Sequence, residues 1–157
     1  MYHAVTPTIL HDAGQESVSA STLAQQMAYL ARSGVRIVGL EEGLAALSAT
    51  ESDAPMATVV FDDGYAGVHD HALEILGRHR VPATVFVATA SIGTPAFAWA
   101  PRELGRPLSW SKLRALVDAG WAVGSHTHDH AVLTRLSTAK AREQLRRSRD
   151  TLADRVG

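Results

Sequence analysis

Two short runs constrain the fold of this chain more than any other feature: residues 57–61 (ATVVF) and residues 83–88 (ATVFVA). Each is apolar or β-branched at nearly every position, with no alternation of polar and apolar side chains. A strand with one wet face alternates; a strand covered on both faces does not. Such strands belong to parallel sheets flanked by helices, and a parallel pair needs a long crossover. The segment between the two runs supplies one, because Val68, Ala72, Ile75 and Leu76 fall on a single helical stripe.

The same rhythm extends along the chain. Residues 2–5 read as a strand, and a helix from Ser21 carries Leu23, Met27, Leu30 and Ala31, with Gly34 as its stop. A strand over 36–40 and a short helix over 41–47 follow. Ser109 is placed to cap a helix bearing Leu113, Leu116 and Val117 and ended by Gly120. Residues 121–125 form the next strand candidate, and Ser137 opens a helix with Ala141, Leu145, Ser148 and Leu152 on one face. Repeated strand and helix predict an α/β fold with about five parallel strands. No linker divides it, so residues 1–157 are expected to form one domain.

Composition narrows the function. Hydrophobic residues make up 46% and charged residues 20%, an ordinary globular balance. Fifteen basic residues against sixteen acidic ones give a net charge of −1, so nothing marks a surface for nucleic acid or anionic lipid. The longest basic run, Arg146-Arg147-Ser148-Arg149, lies beside Glu143 and Asp150 and reads as a solvated helix face. There is no cysteine, so any metal must be held by histidine and carboxylate. No apolar stretch is long enough to span a bilayer, and MYHAVTPTIL has neither the basic start nor the apolar core of a signal peptide.

In parallel α/β folds chemistry gathers at the carboxyl ends of the strands. Two polar clusters fall there. One is Asp62-Asp63 after ATVVF; the other is His126-Thr127-His128-Asp129-His130 after WAVGS. Adjacent carboxylates face different directions, which suits one to bind a cation and the other to act as a base. Gly64 lets the backbone turn sharply behind them. Taken alone, DDG is more often a helix cap or turn.

The histidines alternate. An extended segment would pair His126 with His128, whereas a loop or first helical turn would bring His126 to His130, four residues on. Two imidazoles together with Asp63 make a donor set that leaves positions for water and substrate, the pattern of catalytic zinc. Two rival motifs fail on spacing. HxHxDH of metallo-β-lactamase-like hydrolases needs six residues where HTHDH has five, and the DxD of haloacid-dehalogenase-like phosphatases needs a residue between its aspartates. His3, His11, His69, His71 and His79 are dispersed and read as surface or core residues, with His3 the exception to watch because it sits near a strand end. Residues 91–108 carry three prolines and the pair Phe97 and Trp99. A loop that long is more often functional or mobile than accidental. Its aromatics, with Trp110, are expected to pack or to anchor the loop, stacking on a sugar being the lesser expectation.

Taken together, ATVVFDDGY, VPATVFVAT and GSHTHDHAVLTRLS resemble the polysaccharide deacetylase family, also called the NodB homology domain or carbohydrate esterase family 4. MYHAV and QMAYLARSGVRIVGLEEGL follow the pattern of its bacterial members, so the resemblance runs from residue 1 to about 157. It implies a distorted (β/α) barrel and metal-dependent removal of acetyl groups from an N-acetylated glycan, such as poly-N-acetylglucosamine, a chitin-like polymer or peptidoglycan. It implies Asp62 as catalytic base and Asp63, His126 and His130 as metal ligands, with Thr127 at the Ser/Thr position and His128 at a variable one. Zinc is the ion most often implied, and an extracytoplasmic or cell-envelope place of action comes with the resemblance.

The family's further motifs do not occur here: an R-x-P-Y-like strand end, an Asp/Trp element and a late Leu-x-His that supplies the general acid. The expectation is therefore an incomplete barrel lacking its C-terminal part, with a complete metal triad and no acid. Open strand edges and an uncovered apolar face lead us to expect self-association. A catalytically silent module that binds glycan or metal is the alternative function.

Overall fold

The structure is a computed structural model that describes residues 1–11, 16–48 and 55–157. Its elements, in chain order, are β1 (Ala4–Thr6), β2 (Ser17–Ser19), α1 (Ala20–Leu30), β3 (Arg36–Ile37), α2 (Leu40–Ser48), β4 (Met56–Ala57) and β5 (Val59–Phe61). A π-helical turn, Val68–Ala72, then runs into α3 (Leu73–Arg78). β6 (Ala83–Val87), α4 (Trp110–Asp118), β7 (Ala122–Ser125) and α5 (Thr138–Val156) complete the chain.

Every strand pair among the described residues is parallel, as the apolar runs require. The central sheet has the order β5-β6-β7, with Val59 opposite Ala83 and Val85 opposite Val123. Tyr2 extends it beyond β5: its N–H donates to Val60 O and its carbonyl accepts from Asp62 N, both at 2.9 Å. β1 pairs with β2, and β3 with β4, as separate short ladders. β7 ends the sheet with no further strand among the described residues. The result is α/β, an open arc of parallel strands rather than a closed cylinder.

Burial follows the stripes. Phe61, Val85 and Val87 of the sheet are fully covered, as are Leu23 and Met27 of α1, Leu76 of α3, and Leu113 and Leu116 of α4. Each fully buried side chain of this kind contributes about 1.5–3 kcal/mol through lost apolar exposure. Ser19, Ser109 and Ser137 each cap a helix by accepting from the backbone N–H three residues on.

Several expectations change in detail. The run 57–61 is split at Thr58, because β4 pairs with β3 while β5 pairs with β6. The strand expected over 36–40 is only two residues long, since α2 already begins at Leu40. β2 was not expected; SVS is too short and polar to stand out, and its order comes from its ladder with β1. On α5, Ser148 and Leu152 are buried as expected, but Leu145 is 47% exposed. The inward face there is fixed by Ser125 Oγ donating to Ser148 Oγ at 2.7 Å, which sets α5 over β7.

One ion pair ties the π-turn to α4. Lys112 Nζ donates to both carboxylate oxygens of Asp70, at 2.6 Å to Oδ2, and His69 Nδ1 lies 2.9 Å from Oδ1. Partial burial pushes the Asp70 carboxyl up, but Lys112 and His69 outweigh it and hold it below the usual aspartate range. A carboxyl depressed in the folded state stabilises above its unfolded pKa of about 3.9, and that contribution fades as pH falls through the folded value. Both side chains are partly exposed, so the expected size is about 0.5–1 kcal/mol. Asp70→Asn is thus expected to lower the urea midpoint near neutral pH, and to match the parent once Asp70 is protonated. An equal deficit at both pH values would contradict the assignment.

Candidate metal centre

Past the end of β5 the chain makes an unusual bend. Gly64 N–H donates to Asp62 O at 2.9 Å, closing a three-residue turn whose central residue, Asp63, has φ of 69°. A bond spanning two residues around a positive φ marks the rare, strained hand of the γ-turn. Gly64 follows at φ 84°, and a Cβ there would lie 2.9 Å from the Val87 side chain. Leu108 N–H donates to Gly64 O at 2.8 Å and Ala66 N–H to Arg106 O at 2.8 Å, which ties the bend to the loop over 91–108. The bend buries Asp63 to 4% exposure and leaves its Oδ1 with no hydrogen bond. Asp62 stays half-buried, held through its backbone by Tyr2.

The second loop leaves β7. His126 N–H donates to Val87 O at 2.9 Å, extending the β6-β7 ladder by one rung. Thr127 at φ 67° and His130 at φ 64° then reverse the backbone. A β-branched residue in this region is an outlier, and non-glycine residues there cost about 1–3 kcal/mol each. Three of the four such residues among those described, Asp63, Thr127 and His130, are at this one place. Neighbours hold the loop: Ala90 N–H donates to His128 O at 2.7 Å, and Gln144 Oε1 accepts from the N–H groups of His128 and Asp129 at 3.1 Å each.

These two bends bring three side chains together. His130 Nε2 lies 3.2 Å from Asp63 Oδ1 and His126 Nε2 lies 3.4 Å from it. Ligand atoms of all three residues fall within 4.8 Å of one another, and no second such group of three occurs among the described residues. Two readings compete for these contacts. An imidazolium–carboxylate pair would put a proton between them, but the distances are met without hydrogen-bond geometry, which leaves Oδ1 an unpaired buried acceptor. Burying a carboxylate without a partner is costly. Two atoms each about 2.1 Å from a shared ion at a tetrahedral angle stand about 3.4 Å apart, so the spacing fits a divalent cation. One carboxylate and two imidazoles are also a donor set that zinc accepts.

His128 does not join the group. Its Nδ1 lies 2.9 Å from Thr89 Oγ1, and burial, aided by Arg147, holds its pKa below the usual histidine value. The loop geometry therefore selects the pair four residues apart and not the pair two apart. Asp62 stands outside the group of three. Of the dispersed histidines, His69 contacts Asp70 and none joins the cluster. Beside the cluster opens a cleft of about 540 Å³, walled by His126, Thr127, His130, Val132, Leu133 and Leu145.

Little in the sequence pointed to Gln144 or to Trp99. The indole of Trp99 lies flat on the His130 ring, centroids 4.3 Å apart and planes 13° apart. Only the aromatic content of a proline-rich loop hinted at an anchoring role.

Residues 49–157 match the family model described as polysaccharide deacetylase. The chain belongs to the polysaccharide deacetylase family. The deacetylase match takes in both bends and all of β5, β6 and β7. Among curated relatives, the peptidoglycan-N-acetylglucosamine deacetylase PgdA of Listeria monocytogenes is 34% identical over 101 residues, 63% of this chain and 18% of that protein. The poly-beta-1,6-N-acetyl-D-glucosamine N-deacetylase of Staphylococcus aureus is 26% identical over 125 residues, 79% of this chain and 41% of that one. The chain thus spans less than half the length of these relatives. Two solved structures share the deacetylase fold. The Streptococcus pyogenes deacetylase PplD in complex with acetate superposes with a TM-score of 0.79 at 21% identity, over 99% of this chain and 66% of that one. IcaB from Ammonifex degensii gives 0.77 at 24% identity, over 99% and 67%. The arc of strands described above is accordingly an incomplete deacetylase barrel.

Proposed function

We propose that residues 1–157, as one unit, carry the metal-holding and base-bearing part of a de-N-acetylase acting on an N-acetylated glycan outside the cytoplasm. Asp63, His126 and His130 would hold a divalent ion, zinc being the one the donor set favours, and Asp62 would be the general base. The observation that carries this reading is the convergence of two strained loops on one buried, unpaired carboxylate oxygen. The names of the curated relatives support the substrate class, since one is a deacetylase of N-acetylglucosamine in peptidoglycan and the other of poly-beta-1,6-N-acetyl-D-glucosamine.

A bound divalent ion would supply Lewis acidity toward water and the acetyl carbonyl oxygen. The chain's residues do the rest. Asp63 and the two imidazoles fix the position of the reacting groups, and Asp62 takes a proton from the attacking water. Departure of the amine needs a proton donor. Among the described residues, the remaining lining of the cleft, Ser125 and Thr134 with aliphatic side chains, contains no group that titrates near neutrality. That favours a second reading for this chain alone: a metal-binding module whose catalysis needs an acid from elsewhere.

Acetate release from N-acetylglucosamine oligomers, with and without a chelator, separates the two. Release that the chelator abolishes supports the enzyme; silence with stoichiometric metal supports the module. For an active form, Asp62→Asn is expected to lower turnover about 10²–10⁴-fold while metal content stays unchanged. Loss of metal in that variant would mean that the two aspartates have exchanged roles.

A further inference from the structure

Resting on the metal reading of the cluster, we infer that Trp99 is a positioning residue for His130, acting through the face of its indole. His130 needs such a support. It sits in a loop at φ 64°, and among the described residues no hydrogen bond holds its ring. Histidine ligands ordinarily have the second ring nitrogen pinned by a carboxylate or carbonyl, which fixes the ring's orientation. Here the parallel stack at 4.3 Å takes that place.

The support is anchored in the core. Trp99 packs on Phe97, with centroids 5.1 Å apart, and Phe97 packs on Tyr65 at 4.5 Å. Tyr65 is fully buried and follows the Asp62-Asp63-Gly64 bend by one residue. The ring ladder therefore starts two residues after Asp63 in the chain and ends on His130, while Asp63 and His130 face each other across the 3.2 Å gap between Oδ1 and Nε2. One loop sets both ends of that gap. The indole Nε1 is buried and makes no hydrogen bond, so the polar end of Trp99 is not what holds it there.

Electronics favour the occupied state. A cation drawing density from the imidazole leaves that ring electron-poor, and an electron-poor ring is attracted to the negative face of indole. Trp99 should therefore stabilise the ligated form of His130 more than the free form. An aliphatic side chain of similar bulk would fill the space without this preference.

The test compares Trp99→Phe with Trp99→Leu in the full chain. Zinc affinity is read by competition with a chromophoric chelator, and the cobalt-substituted forms by visible absorption. We expect Trp99→Leu to weaken zinc binding about 10–100-fold, the range for an outer-shell partner, with an altered cobalt spectrum. Trp99→Phe should stay within about threefold, because it keeps an aromatic face, though a smaller one, and the N–H that it loses has no partner. In the metal-free protein, the His130 ring protons should be shifted upfield in the NMR spectrum by the indole and return toward ordinary values in Trp99→Leu. Parent-like zinc binding by Trp99→Leu would overturn the inference. So would equal losses in both variants, which would reduce Trp99 to bulk. An unshifted His130 ring in the parent would do the same. Failure of the parent to bind zinc or cobalt at all would instead bring down the metal reading itself.

Discussion

On the proposed reading of the cluster, Asp63→Asn is expected to abolish divalent-ion binding while leaving the metal-free protein as stable as the parent, or more so. Two separate effects of the substitution give this result. The amide removes the charge that makes the donor set attractive to a cation. Affinity should fall by more than the roughly 100-fold that marks the upper range for an outer-shell partner. Stability should move the other way. Asp63 is 4% exposed with an oxygen that accepts no hydrogen bond, which is costly for an ionised carboxylate unless a cation is bound. Asparagine is nearly the same size and tolerates φ of 69° about as well as aspartate, so the bend survives. Zinc titration and chemical denaturation of the chelator-treated proteins measure the two halves. A less stable metal-free variant would make Asp63 a structural residue and remove the reason for calling the cluster a metal centre.

Among the described glycines, Gly67→Ala should damage the fold more than a methyl group added at any other. Gly67 lies just before the π-turn, where the backbone passes over β1. A Cβ there would come 1.9 Å from the carbonyl oxygen of Val5, an atom that can retreat only by breaking its strand. Overpacking of cores ordinarily costs about 1–3 kcal/mol, and a clash with backbone belongs at or above the top of that range. For a chain of this size about 3 kcal/mol lowers Tm by about 6–12 °C. Gly77 is the control. It lies in α3 with nothing within 4 Å of a Cβ, so Gly77→Ala should stabilise by about 0.5–1 kcal/mol. Equal melting temperatures for the two variants would show that the approach of this segment to β1 is looser than described.

Much of this was readable in the sequence, for identifiable reasons. ATVVF and ATVFVA announced strands covered on both faces because burial on two sides suppresses alternation, and β6 is the centre of the three-stranded sheet with β5 on one flank. Ser109 and Gly120 marked both ends of α4 because capping chemistry is local. The cluster residues Asp63, His126 and His130 were legible as a donor set following two strands. The choice of His130 over His128 came only with the family resemblance, since it depends on left-handed backbone at Thr127 and His130, which a β-branched threonine disfavours. The break at Thr58 and the existence of β2 depend on which strand lies alongside, a tertiary fact. Trp99 could be placed in a loop, but its contact with His130 spans 31 positions of chain and follows no periodic pattern.

The left-handed residues at the two bends have a kinetic meaning. Because hydrogen bonds from neighbouring segments hold the two bends that carry Asp63 and Thr127, the work of ordering both loops is completed during folding and is not left for an arriving cation. A seat made in advance takes up and releases its occupant without rebuilding the walls. Exchange of one ion for another should therefore be limited by water leaving the ion and not by motion of the protein.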